Sequence, residues 1–259
     1  MKLVDAHCHL NDEMYKDDVD EIIKEVEKEM EFIVCSGWDY NSSLEAVKMA
    51  NNHKNIYASI GFHPTDISTM NKEKLATLEK IAKENKKVVG IGEIGLDYYW
   101  MKDPKEVQIE GFREQIEMIR RDNKPIIIHT RDALNDTINI LSEYKDVGGL
   151  LHCYPGSYEA VLPILDRYYV NVGGTLTFKN NRKTKELVEK LPIEKLILET
   201  DSPYLTPTPF RGKRNKPTMV SYVALEVARI KNISYEEVVD ITTKNAIIAY
   251  NMENIWDLE

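Results

Sequence analysis

Apolar residues recur along this chain in eight short runs, at 3–7, 32–35, 57–61, 88–93, 125–129, 149–152, 169–173 and 195–199. Runs of this length suit buried strands and are too short for core helices. Between them lie longer stretches whose apolar positions recur every three or four residues beside a charged face, as at 72–84, 105–121, 132–144 and 183–190. Two more such stretches, 219–230 and 235–250, follow the last run. Strand and helix in strict alternation imply parallel strands joined by crossover helices. Eight such units predict a closed (β/α)8 TIM barrel with C-terminal helices, and an open doubly wound sheet is the rival arrangement. Pro203, Pro207, Pro209, Gly212 and Pro217 punctuate the stretch after the eighth run, which therefore reads as loop. No linker, low-complexity tract or repeat divides the chain, so residues 1–259 are expected to form one domain.

A length of 259 residues matches one β/α barrel, for which about 250 is usual. Hydrophobic residues at 42% supply ample core. The amino-terminal MKLVDAH lacks the apolar region and cleavage site of a secretion signal, and no stretch approaches the roughly 18 apolar residues of a membrane span. Cys8, Cys35 and Cys153 are odd in number and scattered, which argues against a disulfide framework. A cytoplasmic protein without membrane contact is expected, as a monomer or weak oligomer.

The formal net charge of -9 looks unsuited to nucleic acid, but it is unevenly spread. Residues 12–31 alone hold ten acids against three lysines, which leaves -2 for the remainder. That segment reads as an exposed helical face, with Ile22, Ile23, Val26 and Met30 on its apolar side. The segment PFRGKRNKP, by contrast, carries Arg211, Lys213, Arg214 and Lys216 without one acid. It suits an anionic ligand or, equally, a solvated loop.

Histidines and carboxylates close five of the runs: His7 and His9 (VDAHCH), Glu93 (VVGIGEIG), His129 (PIIIHT), His152 (GLLHC) and Asp201 (LILETD). In a β/α barrel the catalytic groups sit at these carboxyl-terminal strand ends. Side chains two apart share a strand face, so His7 and His9 point together, with Asp5 below them. Each residue alone has a plain structural reading: a core histidine, a helix N-cap for Asp201 or His129, a buried ion pair for Glu93. Together they read as a metal centre. Six ligands exceed the needs of one tetrahedral cation that keeps an open position. They suit two cations bridged by Glu93, since a carboxylate can give one oxygen to each and a neutral imidazole cannot. Imidazole-rich sets favour zinc, manganese or nickel, while magnesium prefers oxygen.

The motifs VDAHCHL, GFHP, VGIGEIGLDYYW, PIIIHTRDA, LHCYPG, VGGTLTFK and LETDSPYLTP with RGKRNKP resemble the TatD-type deoxyribonucleases of the amidohydrolase superfamily. The resemblance runs from residue 4 to about 250 and takes in every strand end in order. It implies a (β/α)8 barrel that hydrolyses DNA phosphodiesters with divalent metal, several relatives being 3′-to-5′ exonucleases. By motif, His7, His9, Glu93 and Asp201 would hold one metal, and Glu93, His129 and His152 the second. Related amidohydrolases usually bridge the metals with a modified lysine, and here Glu93 takes that slot. The family commonly reads G-x-H-P-H after the third strand, whereas this chain keeps His63 and has Thr65 in the second histidine slot. By the same resemblance His63 faces substrate, a turn histidine beside Pro64 being the alternative.

The expected reaction is phosphodiester hydrolysis by a two-metal centre with a bridging hydroxide, using Mg2+, Mn2+ or Zn2+, with Ni2+ as a further candidate. Asp201 and Glu93 are the catalytic carboxylates, Asp201 as proton acceptor. Arg131 and the basic loop with Arg211, Lys213 and Arg214 are candidates for gripping phosphate, and Tyr98, Tyr99 and Trp100 for stacking an unpaired base. The partner would be DNA, as single strands or frayed ends. The same centre could instead cleave an ester or amide, such as an aminoacyl bond on tRNA or a small cyclic amide. A metal-stabilised binding scaffold is the non-enzymatic alternative.

Overall fold

The computed structural model describes residues 1–120 and 122–254. Eight parallel strands follow one another around a single sheet: β1 Leu3–Cys8, β2 Met30–Ser36, β3 Ile56–Ile60, β4 Val88–Asp97, β5 Ile126–Arg131, β6 Gly149–Leu151, β7 Tyr168–Val172 and β8 Leu196–Leu198. The helices between them are α1 Val19–Glu29, α2 Tyr40–Asn52, α3 Lys72–Glu84, α4 Lys105–Ile119, α5 Leu134–Glu143, α6 Tyr158–Val161 and α7 Arg182–Lys190. After β8 come α8 Val220–Lys231 and α9 Tyr235–Ala249. Past the strand ends, the amide of Asp201 donates to His7 O at 2.9 Å and that of His9 to Ser202 O at 2.7 Å. Asp5, fully buried, accepts from the Thr200 amide at 2.8 Å across the same seam. The result is the nearly closed (β/α)8 barrel expected from the alternating pattern.

Alternation along the apolar runs explains which side chains reach the interior. In β5, Ile126 and Ile128 join the outer core beneath the helices, while Ile127 faces the inner cluster. In β8, Leu196 and Leu198 pack outward and Ile197 inward. The inner cluster takes Val4, Phe32, Tyr57, Val89 and Leu150 from the other strands, and Ile247 of α9 with Tyr250, just past its end, closes it. Tyr250 fixes this plug by donating to Ala6 O at 2.7 Å. Two residues on from the inward Ile127, Leu150 and Ile197 come His129, His152 and Glu199, on the same face. A filled amino-terminal half therefore leaves the carboxyl-terminal half for polar groups.

Two boundaries differ from the expected ones for a physical reason. The run at 88–93 continues as strand to Asp97, because β5 goes on pairing with it through Gly95↔His129 and Asp97↔Arg131. Glu93 thus lies inside β4 and not at its end. Met30, expected on the helical face of residues 12–31, instead opens β2, pairs with Leu3 of β1 and is buried in the outer core. Arg121, at the end of the stretch 105–121, and residues 255–259 of the expected domain lie outside the described residues.

Gly95 marks the closest approach of β4 and β5. Its φ is +142°, and a Cβ there would fall 2.0 Å from His129 O. Gly95→Ala is expected to destabilise the fold by about 2–3 kcal/mol, read as a lowered urea midpoint with unchanged slope.

Candidate metal centre

Five of the six histidines converge with Glu93 and Asp201 at the carboxyl-terminal mouth of the barrel; the sixth, His53, contacts Glu27 3.2 Å away at the surface. Glu93 Oε2 lies 3.5 Å from His7 Nε2 and 3.6 Å from His9 Nε2. Its Oε1 lies 2.8 Å from His129 Nδ1 and 3.7 Å from His152 Nε2 and His63 Nε2. Asp201 Oδ1 faces His9 Nε2 at 3.3 Å, His152 Nε2 at 3.6 Å and His7 Nε2 at 3.8 Å. Two donor groups, His7 with His9 and Asp201, and His7 with Glu93 and His152, each fall within 4.8 Å of mutual separation. All six residues expected as ligands are thereby brought together.

The ring nitrogens turned away from this centre are tied to oxygen. His9 Nδ1 donates to Ser36 O at 3.0 Å, and His7 Nδ1 is hydrogen-bonded to Ser36 Oγ at 3.2 Å. His152 Nδ1 sits 3.0 Å from Glu199 Oε1, and His129 Nε2 3.0 Å from Asp97 Oδ2. Such partners fix ring orientation and leave the opposite nitrogen free for a cation. Glu199 is itself held by Asn171 Nδ2 at 2.8 Å and by the Cys153 amide at 2.7 Å. Asp5, below these rings, accepts from the His7 amide and from both the amide and the hydroxyl of Thr200. Backbone at the mouth is unusual as well: Asp201 and Cys153 both take positive φ, 55° and 40°. Conformations of that kind in non-glycine residues concentrate at functional sites.

Burial pushes the Glu93 carboxyl up, but the imidazoles of His152, His63, His129 and His7 outweigh it and hold it well below the usual carboxylate range. Asp201 is likewise held low against its burial by His152, His9 and His7. Burial lowers His152, yet Glu199, Asp201 and Glu93 raise it to about 10. For His63 burial dominates, with His129 adding to it, and the ring falls to about 3. Glu93 is 4% exposed and its ion-pair partners among the described residues are imidazoles, with no Lys or Arg. Buried carboxylates surrounded by imidazole nitrogens are the donor set of a divalent cation, and this cluster fits one.

A cleft of about 810 Å3 opens above these residues. Asp12, Trp38, His63, Thr65, Trp100, Lys102, Arg131 and Tyr204 are among the residues that line it. The Arg131 guanidinium lies 3.8 Å from the Tyr99 ring centre and 5.4 Å from that of Trp100, a cation–π stack whose two rings are more than half exposed. Tyr98 is turned away and donates to Asp136 at 2.8 Å. Arg211 and Lys213 are not among the cleft-lining residues and lie over the rings of Phe178 and Phe210. Arg214 is paired with Asp18 and stacked on Tyr15, and Lys216 is paired with Glu25. Two of the four cations of the basic loop are therefore paired with acids of segment 12–31. Asp97, Ser36 and Trp38 were not among the expected site residues. Alternation does signal Asp97, two and four residues beyond Gly95 and Glu93, once β4 is known to continue.

An imidazole–carboxylate cluster at the carboxyl-terminal mouth of a parallel β/α barrel is the setting of a metal-dependent enzyme. Residues 4–251 match the family model described as TatD related DNase. The chain is 46% identical over 248 residues to the uncharacterized metal-dependent hydrolase YabD of Bacillus subtilis, covering 94% of this chain and 97% of that protein. It is 37% identical over 252 residues to YcfH of Escherichia coli, also an uncharacterized metal-dependent hydrolase, covering 95% and 94%. Among solved structures, the TatD homolog YJJV of Escherichia coli superimposes with a TM-score of 0.90 at 25% identity, covering 96% of this chain and 98% of that one. The chain belongs to the TatD family of metal-dependent hydrolases. No helix among the described residues is long and apolar enough to cross a membrane.

Proposed function

We propose that this hydrolase is a deoxyribonuclease that cleaves phosphodiester bonds at single-stranded DNA ends, in the 3′-to-5′ direction, with two divalent cations. The observation that carries this reading is the sharing of one cleft by the cation donors and a wall of Trp100, Arg131 and Lys102. His7, His9, Glu93 and Asp201 would hold one cation, and Glu93, His129 and His152 the other, with Mg2+, Mn2+, Zn2+ and Ni2+ as the candidates. When bound, such a pair supplies Lewis acidity towards the phosphoryl group and lowers the pKa of water.

The chain's own residues do the rest. Arg131, stiffened by its aromatic stack, offers a planar fork of donors to a phosphate oxygen. Trp100 presents a face on which an unpaired base can stack. Asp201, held ionised, accepts the proton of the attacking water at a carboxylate oxygen. His63, kept neutral by burial, presents Nε2 to the Glu93 side of the cleft, while the Thr65 amide donates to its Nδ1 at 3.1 Å.

One observation favours a second reading, hydrolysis of a small ester or amide. The acids Asp12 and Asp66 line the same cleft as the cations Lys102 and Arg131, which suits a compact substrate better than a long polyanion. A panel of end-labelled single-stranded DNA, a phosphodiester dye, an aminoacyl ester and a cyclic amide, each with every cation restored in turn, separates the two. Ester or amide turnover without phosphodiester cleavage would overturn the nuclease reading. Stacking contributes about 1–3 kcal/mol per base, so Trp100→Ala is expected to raise KM for single-stranded DNA by about tenfold with kcat little changed.

A further inference from the structure

Asp97 touches two parts of the site that are otherwise separate. Its Oδ2 lies 3.0 Å from His129 Nε2, and its Oδ1 accepts the amides of Tyr99 at 3.0 Å and Trp100 at 2.8 Å. The carboxylate is almost wholly buried, and its backbone is clamped by Gln108, which accepts from the Asp97 amide at 2.8 Å and donates to its carbonyl at 3.0 Å. The turn that Oδ1 caps is the one carrying the rings against which Arg131 is stacked.

A neutral imidazole has one N–H and one lone pair. His129 faces Glu93 with Nδ1 and Asp97 with Nε2. Both carboxylates can only accept, so a cation held beside Glu93 would take the place of the proton on Nδ1, and the single ring proton would then stay on Nε2, where Asp97 accepts it. The set His63, Asp97 and His129 has the spacing of cation ligands. His129 cannot serve a cation there and another beside Glu93 without losing both ring protons. A cation beside Glu93 can draw only on Nδ1, the nitrogen on that side of the ring.

We propose that Asp97 is a positioning residue that sets the tautomer of His129 for the second cation and, through the same carboxylate, holds the Tyr99–Trp100 turn that stacks Arg131. This rests on the two-cation reading above. Cation affinity at His129 and the order of the cleft wall are therefore linked through one side chain.

Asp97→Asn is nearly isosteric and separates the two roles. The amide oxygen can still accept from Tyr99 and Trp100, so the turn is kept. The amide nitrogen then faces His129 Nε2 as a donor, drives the ring proton to Nδ1 and denies that nitrogen to a cation. Loss of such a partner typically weakens metal binding about 10–100-fold. Zinc titration by calorimetry, with bound metal counted by elemental analysis, is the test. Wild type taking two zinc ions while the variant takes the second about 10–100-fold more weakly supports the inference. Equal affinities in the two proteins overturn it and leave the two-cation reading standing. Fewer than two zinc ions in wild type overturn both. Should the variant not fold, long-range 1H–15N spectra of histidine rings in zinc-loaded wild type decide: a proton on Nε2 of His129 supports the inference, and a proton on Nδ1, or zinc at Nε2, overturns it.

Discussion

Glu93→Ala is expected to lower turnover by about 1,000-fold or more while the barrel stays folded. Glu93 is the group that both halves of the cluster share, with Oε2 towards His7 and His9 and Oε1 towards His129, His152 and His63. An alanine leaves five imidazoles without their common carboxylate, so neither cation of the proposed pair would keep a full donor set. The fold should survive because the strands around residue 93 are paired through backbone groups and the inner core lies below the site, in Val89, Ile127 and Tyr250. Taking away a buried charge also removes its desolvation cost. Circular dichroism, a thermal melt and metal counting on the purified variant check both halves. Near-normal turnover, or two retained cations, would contradict the bridging role.

Removal of metal by a chelator is expected to abolish turnover and to lower Tm by about 10 °C for each cation lost. A ligand at a thousand times its Kd stabilises the native state by about 4 kcal/mol, and each kcal/mol moves Tm by about 2–4 °C at this size. The effect should grow with pH, and the sign follows from His152. Its folded value is raised to about 10, above the ordinary 6.5, so in stripped protein its protonation stabilises fully below 6.5 and is lost as pH rises through about 10. A cation must displace that proton. Affinity therefore rises with pH, about tenfold per unit for each proton displaced. The gap in Tm between loaded and stripped protein should be wider at pH 9 than at pH 6, and scanning fluorimetry at both values measures it. A gap that narrows with pH would contradict the assigned charge state.

The strand order and the convergence of His7, His9, Glu93, His129, His152 and Asp201 were legible in sequence because each follows from a short-range regularity. An apolar run of four to six residues is a strand, alternation assigns its faces, and the residue at its carboxyl end belongs to the rim. Glu199 takes its inward direction from the same parity, two residues on from Ile197. Asp97 was not, because glycines and an acid interrupt the run at 93, and its continuation depends on pairing with His129 to Arg131 of β5. The basic loop shows the opposite failure. Arg211, Lys213, Arg214 and Lys216 look free when read locally, yet Asp18 and Glu25, almost two hundred residues earlier, meet two of them.

By itself, then, the order of residues determined the alternation of strand and helix, the inward parity of each strand and the chemical types at the rim, since all depend on neighbours a few positions away. Tertiary structure decided which nitrogen of each imidazole faces the centre, which charges are already neutralised, and that Asp97 joins a candidate ligand to the cleft wall. Those depend on groups far apart in the chain, and closure of the barrel is what brings them within hydrogen-bonding distance.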